Sequence, residues 1–511
     1  MDQADRIQRS WLNGWNMGEA AAQTSISDLM AVSGVGFGTS GARGLADAMT
    51  DRVCYLYTLG FLQYLEQLGA IQPGGRVALA GDNRPSSPRI MAAVAAAIAA
   101  KGYRPVNCGN IPSPALASFA IDQGIASLMV TGSHLPDDRN GIKFNLPQGE
   151  ILKEDEAGIR AQQLAVPATL FDAVGAFAAP VNALPAADGA AHRQYVARYL
   201  DAFPADCLHG SRVLVYEQSS VAAAALREVF AGLGAEVVCR GYSSRFIPVD
   251  TEAVREEDVA LARSWAAAEH FDLLVSADGD GDRPLVGDER GEWLRGDVAG
   301  ILTARFLGSD TVVTPVSSNT ALEKSAWFRQ VVRTRIGSPY VIAGMQQAVE
   351  GGAERVAGYE ANGGFLMMSP HAVDGRSLAP LPTRDALIVA LAVLLLARRQ
   401  GLPVSRLTGA LPRRFTASDR LKNFPTDLSQ RNIMRLLSDE DAIFGQFPAM
   451  GPVESVDQTD GLRMTFVNGE VIHLRPSGNA PELRCYTEAD SADRARALNH
   501  ECLALLESWR A

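Results

Sequence analysis

A pattern of strand, serine-bearing polar loop, helix and strand occurs three times along this chain, and it narrows the possible folds more than any other feature. The first copy opens with Arg76-Val-Ala-Leu-Ala80 and the loop Asn83-Arg-Pro-Ser-Ser87. An Ala-rich segment over 89–100, Gly102 and a strand near Val106 complete it. The second has Arg212-Val-Leu-Val-Tyr216, the loop Gln218-Ser-Ser220, a helix over 221–233, Gly234 and Glu236-Val-Val-Cys239. The third has Thr311-Val-Val-Thr-Pro-Val316, the loop Ser317-Ser-Asn319, a helix over 320–328 and a strand over 331–335. Each copy reads as a right-handed parallel βαβ unit. The copies are too few and too far apart for a solenoid, so three similar α/β domains are expected.

After Gly401 the pattern changes. Strands over 462–467 and 471–475 flank Asn468-Gly469, the strongest short hairpin signal, and a strand over 483–488 and a helix from Ser491 follow. A small antiparallel α+β domain is expected there. An Ala/Pro-rich stretch over 166–190 separates the first domain from the second, and residues 288–300 lead into the third. The expected divisions are an extension over 1–30, helical or loosely ordered, and domains over 31–185, 186–295, 296–408 and 409–511. The length of 511 residues suits this count.

Five loops carry chemistry. Thr131-Gly-Ser-His-Leu-Pro-Asp-Asp-Arg-Asn-Gly-Ile-Lys-Phe144 follows an apolar strand over 125–130. It would bring a serine hydroxyl, an imidazole and an ammonium to the end of a strand, where open parallel sheets bind ligands. By itself the stretch also fits a loop in which Ser133 caps the next helix. Asp278-Gly-Asp-Gly-Asp-Arg283 sets carboxylates at alternate positions and can turn several oxygens onto one hard cation. It is not an EF-hand loop, because its sixth position is Arg283 and a strand precedes it. Three carboxylates leave coordination sites open for a phosphate oxygen, which suits Mg²⁺.

Gly34-Val-Gly-Phe-Gly-Thr-Ser-Gly-Ala-Arg-Gly44 contains a GxGxxG string, but Arg43 stands where a dinucleotide-binding helix would start and no acidic residue ends a second strand. A glycine-rich turn presenting Arg43 to an anion is expected instead. Gly358-Tyr-Glu-Ala-Asn-Gly-Gly364 offers Glu360 and Asn362 to neighbouring hydroxyls. Arg475-Pro-Ser-Gly-Asn-Ala-Pro481, with Arg484 on the next strand, has the makings of a phosphate cradle.

Net charge is −11 and no basic block or basic-aromatic stripe occurs, so no nucleic-acid partner is expected. An anionic small substrate must be held by local basic loops against the global field. The six scattered cysteines have no Cys-x-x-Cys pair and read as reduced packing residues. The first residues lack a signal-peptide pattern, and the apolar run over 386–397 is too short to span a bilayer. A cytoplasmic protein with no membrane partner is expected.

Taken in order, the five loops resemble those of the α-D-phosphohexomutases, the bacterial phosphomannomutases and phosphoglucomutases, from about Phe37 to the C-terminal helix. The resemblance implies three related α/β domains, with mixed and mainly parallel sheets, and a C-terminal α+β domain of the TATA-binding-protein-like kind around a central cleft. It implies a phosphoserine at Ser133 and Mg²⁺ held by Asp278, Asp280, Asp282 and a phosphoserine oxygen. Arg43, His134, Lys143 and Arg283 would line the reaction centre. Glu360 and Asn362 would read sugar hydroxyls, and Arg475, Ser477, Asn479 and Arg484 would hold the distal phosphate. The expected reaction interconverts hexose 6-phosphate and hexose 1-phosphate through a hexose 1,6-bisphosphate, which also serves as activator. Mannose phosphates are the first choice of substrate and glucose phosphates the second, in a monomer or homodimer. A Mg²⁺-dependent phosphatase and a non-catalytic sugar-phosphate-binding protein are the more distant alternatives. Gly132, Leu135, Asn362, Gly478 and Asn479 depart from the commonest family pattern.

Overall fold

The computed structural model describes residues 22–38, 41–181, 184–438, 443, 445–477 and 481–510. Four sheets organise them. In the first, Arg76–Gly81 pairs in parallel with both Arg104–Asn110 and Ser127–Val130. The chain then returns antiparallel as Arg139–Leu146, against which Gly41–Leu45 also pairs. The second sheet repeats the plan. Arg212–Tyr216 is flanked in parallel by Glu236–Arg240 and Leu273–Ala277, and Pro284–Gly287 returns antiparallel. The third has Thr311–Pro315 in parallel between Gln330–Thr334 and Val356–Tyr359, then Phe365–Met367 antiparallel to Val356–Tyr359, and Leu381–Asp385 antiparallel in turn to Phe365–Met367.

The three βαβ units expected from the repeat are therefore present, and each sheet is mixed because a third parallel strand turns back on itself. That turn carries candidate site residues in each unit. The Ser133, Asp278 and Glu360 loops each join the third parallel strand of a sheet to its antiparallel partner. All three thus sit at carboxyl ends of parallel strands, where such sheets bind ligands.

The helices follow from local sequence. The first repeat helix, Ser87–Ala100, has Pro88 in its first turn and buries Ile90, Val94 and Ile98. The second is Ala223–Gly232. The third was expected over 320–328 but is a single turn, Ala321–Lys324. Ala326 takes a left-handed φ of 55° and ends it. The apolar helix Ala386–Gln400 is capped by the Asp385 carboxylate and has residues 386–397 buried. No single described helix is long and apolar enough to cross a membrane; the bent pair Ala386–Gln400 and Val404–Ala410 meets that test by length and composition, but its apolar stretch is core.

The fourth sheet is wholly antiparallel, in the order Phe415–Lys422, Glu482–Ala489, Val471–Pro476, Leu462–Phe466 and Val453–Asp457. The two strands not anticipated, Phe415–Lys422 and Val453–Asp457, are the sheet's edges. Their largely exposed polar residues carry little hydrophobic alternation. Helix Ala492–Glu507 covers the sheet with Leu498, Cys502 and Leu506. The described end of the N-terminal extension is ordered onto the first unit. Ala22–Ser25 pairs antiparallel with Gln163–Val166, and the helix Ile26–Ser33 starts at a capping box made by Ser25 and Asp28. One buried apolar cluster runs from Ala78 through Val213 to Val404, so the first three units share a core. The fourth keeps its own, around Phe466, Leu474 and Trp509.

Candidate active site

Ser133 is the centre of the site. Its residue is 1% exposed and its φ is +54°, a left-handed conformation that a serine adopts only when its surroundings impose it. The surroundings are Arg84. This guanidinium, 1% exposed, donates to the carbonyls of Ser133 at 2.7 Å, Leu135 at 2.6 Å, Pro136 at 2.5 Å and Arg139 at 3.0 Å. Its Nε rests on Asp82 at 3.0 Å, and Asp82 also accepts from Thr131 Oγ1 at 2.7 Å and Ser87 Oγ at 2.6 Å. Thr131 in turn accepts from the Ser133 backbone N–H at 2.7 Å. Gly132 gives Arg84 its room, since a Cβ there would lie 2.6 Å from the guanidinium carbon. The departure of Gly132 from the commonest family pattern thus has a structural reason.

The Ser133 hydroxyl donates to Asp278 Oδ2 at 2.7 Å. Asp278, Asp280 and Asp282 each direct one carboxylate oxygen into a common volume, all within 4.8 Å of one another and all buried. Neighbouring loops fix them. Ser113 Oγ donates to Asp280 Oδ2 at 2.6 Å, Ser220 Oγ to the Asp278 carbonyl at 2.6 Å, and Lys143 Nζ to both Asp280 and Asp282 at 2.5 Å. Ser220 comes from the serine loop of the second βαβ unit, which explains one recurrence of that loop in the sequence.

Asp280 Oδ1 and Asp282 Oδ1 remain buried with no hydrogen-bond partner. Orphaned buried carboxylate oxygens are costly, and a hard cation among them removes the cost, so the three aspartates fit a divalent metal. Their protonation points the same way. Burial first, then the charges of Asp280 and Asp282, pushes Asp278 up to about 8. Burial would raise Asp280 too, but the Lys143 ammonium outweighs it and holds this carboxyl below its ordinary range.

Cations complete the reaction centre. Arg43 lies on the strand Gly41–Leu45, opposite Gly141, and no helix starts there, in keeping with a non-dinucleotide loop. Burial foremost, then Arg283, pushes Arg43 down to about 10. Lys143 stays charged: burial opposes its ammonium, but the two aspartates prevail and raise it. His134 differs. Its Nδ1 is 3.4 Å from Ser133 Oγ and lies 2.7 Å from Arg283 Nη1, which donates to it. Burial, followed by Arg283 and Arg43, keeps this imidazole neutral, well below its ordinary range.

Glu360 and Asn362 are 4% and 6% exposed. Asn362 gives its side-chain carbonyl to the Gly364 N–H at 2.9 Å and its backbone carbonyl to Thr251 Oγ1 at 2.7 Å. Glu360 meets Arg384 Nη1 at 3.2 Å. Arg475 and Arg484 face each other across the hairpin of the fourth sheet, and Arg420 is opposite Arg484 on the next strand. Carboxylates relieve the repulsion along this row, with Glu482 3.5 Å from Arg420 and 3.7 Å from Arg484. Arg475 now rests on Asp460 at 2.7 Å, which also accepts from the Ile336 N–H at 2.9 Å. Ser477 is buried and its N–H donates to the Glu482 carbonyl at 2.8 Å. Asn479, with Gly478, lies outside the described residues.

Residues 131–144, 278–283 and 43 thus come together at Ser133, and 360–362 reach them through Arg384. Three arginines escaped the reading of the sequence. Arg84 stood in a loop taken only as polar, Arg384 on a short strand ahead of an apolar helix, and Arg420 on an unanticipated edge.

Comparison with known proteins agrees with this architecture. Residues 34–166, 295–415 and 429–505 match the family models for the phosphoglucomutase/phosphomannomutase alpha/beta/alpha domain I, alpha/beta/alpha domain III and C-terminal domain. A phosphomannomutase of Sinorhizobium fredii is 43% identical over 92% of this chain and 98% of its own length. One of Salmonella muenchen is 43% identical over 94% of this chain and 97% of its own. In fold, a phosphoglucomutase/phosphomannomutase family protein from Burkholderia thailandensis superposes with a TM-score of 0.70 at 20% identity, covering 92% of this chain and 97% of that one. With matches over most of its length and the serine, aspartate and arginine loops in family order, this chain belongs to the phosphoglucomutase/phosphomannomutase family.

Proposed function

We propose that this protein is a phosphohexomutase that interconverts hexose 6-phosphate and hexose 1-phosphate, with mannose phosphates as first substrates and glucose phosphates second. The observation that carries the reading is the Ser133 hydroxyl, 2.7 Å from an aspartate of a buried metal-capable triad on which Lys143 and Arg283 also bear. Two relatives of near full length that are named phosphomannomutases support the choice of mannose.

In this reading Ser133 carries a phosphoryl group. A free sugar hydroxyl gives up its proton and forms the new P–O bond as the bond to Ser133 Oγ breaks and that oxygen takes a proton up, giving a hexose 1,6-bisphosphate. The bisphosphate turns over in the cleft, and its other phosphoryl group returns to Ser133 Oγ while the sugar oxygen it leaves regains a proton. Asp278, Asp280 and Asp282 would hold Mg²⁺, which neutralises charge on a transferring phosphoryl group. Arg84 and Asp82 hold the serine loop in line. Arg43, Lys143 and His134 are the candidate proton carriers: the Nδ1 of His134 accepts from Arg283, and Arg43 holds its proton less tightly than an ordinary arginine. Glu360 and Asn362 read the sugar; Arg475, Ser477, Asn479 and Arg484 take the distal phosphate. Domains over 31–185, 186–295, 296–408 and 409–511 fit one sheet each, after an extension over 1–30 whose far end joins the first.

Intact-mass measurement and turnover test this. The purified protein should carry substoichiometric or full phosphate that Ser133→Ala removes, and mannose 1-phosphate should turn over with a hexose 1,6-bisphosphate activator and Mg²⁺. Phosphate retained in the variant, or hydrolysis without isomerisation, would favour a phosphatase that uses Asp278 or Asp280 as nucleophile.

A further inference from the structure

Arg384 is the one long cation of the site that the reaction leaves without a task. It is 2% exposed, and its two terminal nitrogens reach two loops at once: Asp282 Oδ2 at 2.9 Å and Glu360 Oε2 at 3.2 Å. Asp282 belongs to the metal triad and Glu360 to the sugar loop. Gly364 makes the reach possible, because a Cβ there would lie 2.6 Å from Arg384 Cδ and 2.7 Å from Cγ.

The strand that carries Arg384 is a joint between units. Thr383 Oγ1 donates to Glu150 of the first sheet at 2.6 Å, and Ser338 Oγ donates to the other oxygen of the same carboxylate at 2.9 Å. Asp385 accepts from the hydroxyls of Tyr195, at 2.6 Å, and Tyr199, both on the helix leading into the second unit. Three consecutive side chains therefore tie this strand to the first unit, the metal loop and the second unit's helix. Held from both sides, Arg384 cannot follow one carboxylate without leaving the other.

We propose that Arg384 is a positioning residue that couples the metal triad to sugar recognition: it fixes the Glu360 carboxylate for the sugar and tempers the charge of Asp282 toward the cation. The proposal rests on the phosphohexomutase reading of the same site. Its two effects have opposite signs. A guanidinium beside Asp282 weakens the pull of the triad on a second cation, whereas the same guanidinium orients Glu360 and strengthens sugar binding. A residue that only holds the fold together would move both affinities the same way.

The test replaces Arg384 by Met, which keeps length and removes charge, and shifts it with Gly364→Ala, which keeps the charge and crowds the side chain out of its place. Mg²⁺ binding is read by calorimetry on the protein without sugar, and KM for mannose 1-phosphate by turnover. In R384M we expect Mg²⁺ to bind about fivefold more tightly or better, while KM rises about tenfold or more. G364A should shift both in the same directions by less. Parallel weakening of both affinities, or no change in either, would overturn the proposal. If R384M does not fold, G364A alone decides by the same two readings. Wild-type protein that fails to turn over any hexose phosphate would count against the mutase reading instead, and the calorimetric half would still stand.

Discussion

At the scale of single residues, Asp278 has the property that most depends on what the triad holds. Its carboxyl is pushed up to about 8 by burial and by its two aspartate neighbours. Unfolded, an aspartate titrates near ~4. The folded protein without metal therefore binds this proton more tightly than the unfolded chain does. Its contribution to stability is present below about pH 4 and is lost as pH rises toward 8. A cation among the three carboxylates takes the place of that proton, so the stabilisation gained from Mg²⁺ should grow over the same window. Thermal melts at pH 6 and pH 8 check this: saturating Mg²⁺ should raise Tm more at pH 8, and Asp278→Asn should flatten the difference. Equal shifts at both pH values would show that the proton and the metal do not compete there. Ser133 itself was legible as a candidate, since a hydroxyl between Gly132 and His134 after an apolar strand is an unusual local string. Its left-handed backbone was not legible, because Arg84, 49 residues away in sequence, imposes it.

At the scale of elements, the loops hold each other. The serine loop has no long run of its own hydrogen bonds; four of its carbonyls point at one guanidinium. Removing that guanidinium leaves Asp82 as a buried charge without its partner, and breaking such a pair costs about 3–5 kcal/mol. Arg84→Met should therefore lower the unfolding free energy read from denaturant melts by that order. Where the variant still folds, kcat should fall more than KM, because the phosphate and sugar loops remain in place. Arg84→Lys should rescue stability in part but not turnover, since an ammonium cannot span the four carbonyls. The polar loop containing Arg84 was visible in the sequence, but the direction of its side chain was not. The same holds for the edges of the fourth sheet, where exposed polar strands offer no periodic burial to read.

For the whole molecule, the Arg475 loop proposed for the distal phosphate is docked by contacts between the fourth sheet and the third unit. Asp460 accepts from Arg475 and from the Ile336 N–H, and Arg335 Nε donates to the Thr459 carbonyl at 3.1 Å. Under the proposed function, a substrate phosphate arriving at Arg475 would compete with Asp460. Asp460→Asn should lower KM for mannose 1-phosphate by up to about fivefold, the worth of a partly exposed ion pair. Steady-state kinetics at low ionic strength would show it, and a raised KM would mean that docking by Asp460 matters more than competition from it. The same scale separates what could be read from what could not. Hydrophobic period, turn residues and spacing are local, so the three βαβ units, the hairpin at Asn468-Gly469 and the order of the five loops were determined by the sequence itself. The placement of Arg84 under Ser133, the arginine row from Arg420 to Arg475 and the bridge of Arg384 between Asp282 and Glu360 were decided only by the tertiary structure. Hydrogen bonds and charge pairs act through space between separate segments, 49 residues apart for Arg84 and Ser133 and 102 for Arg384 and Asp282, and no local pattern records them.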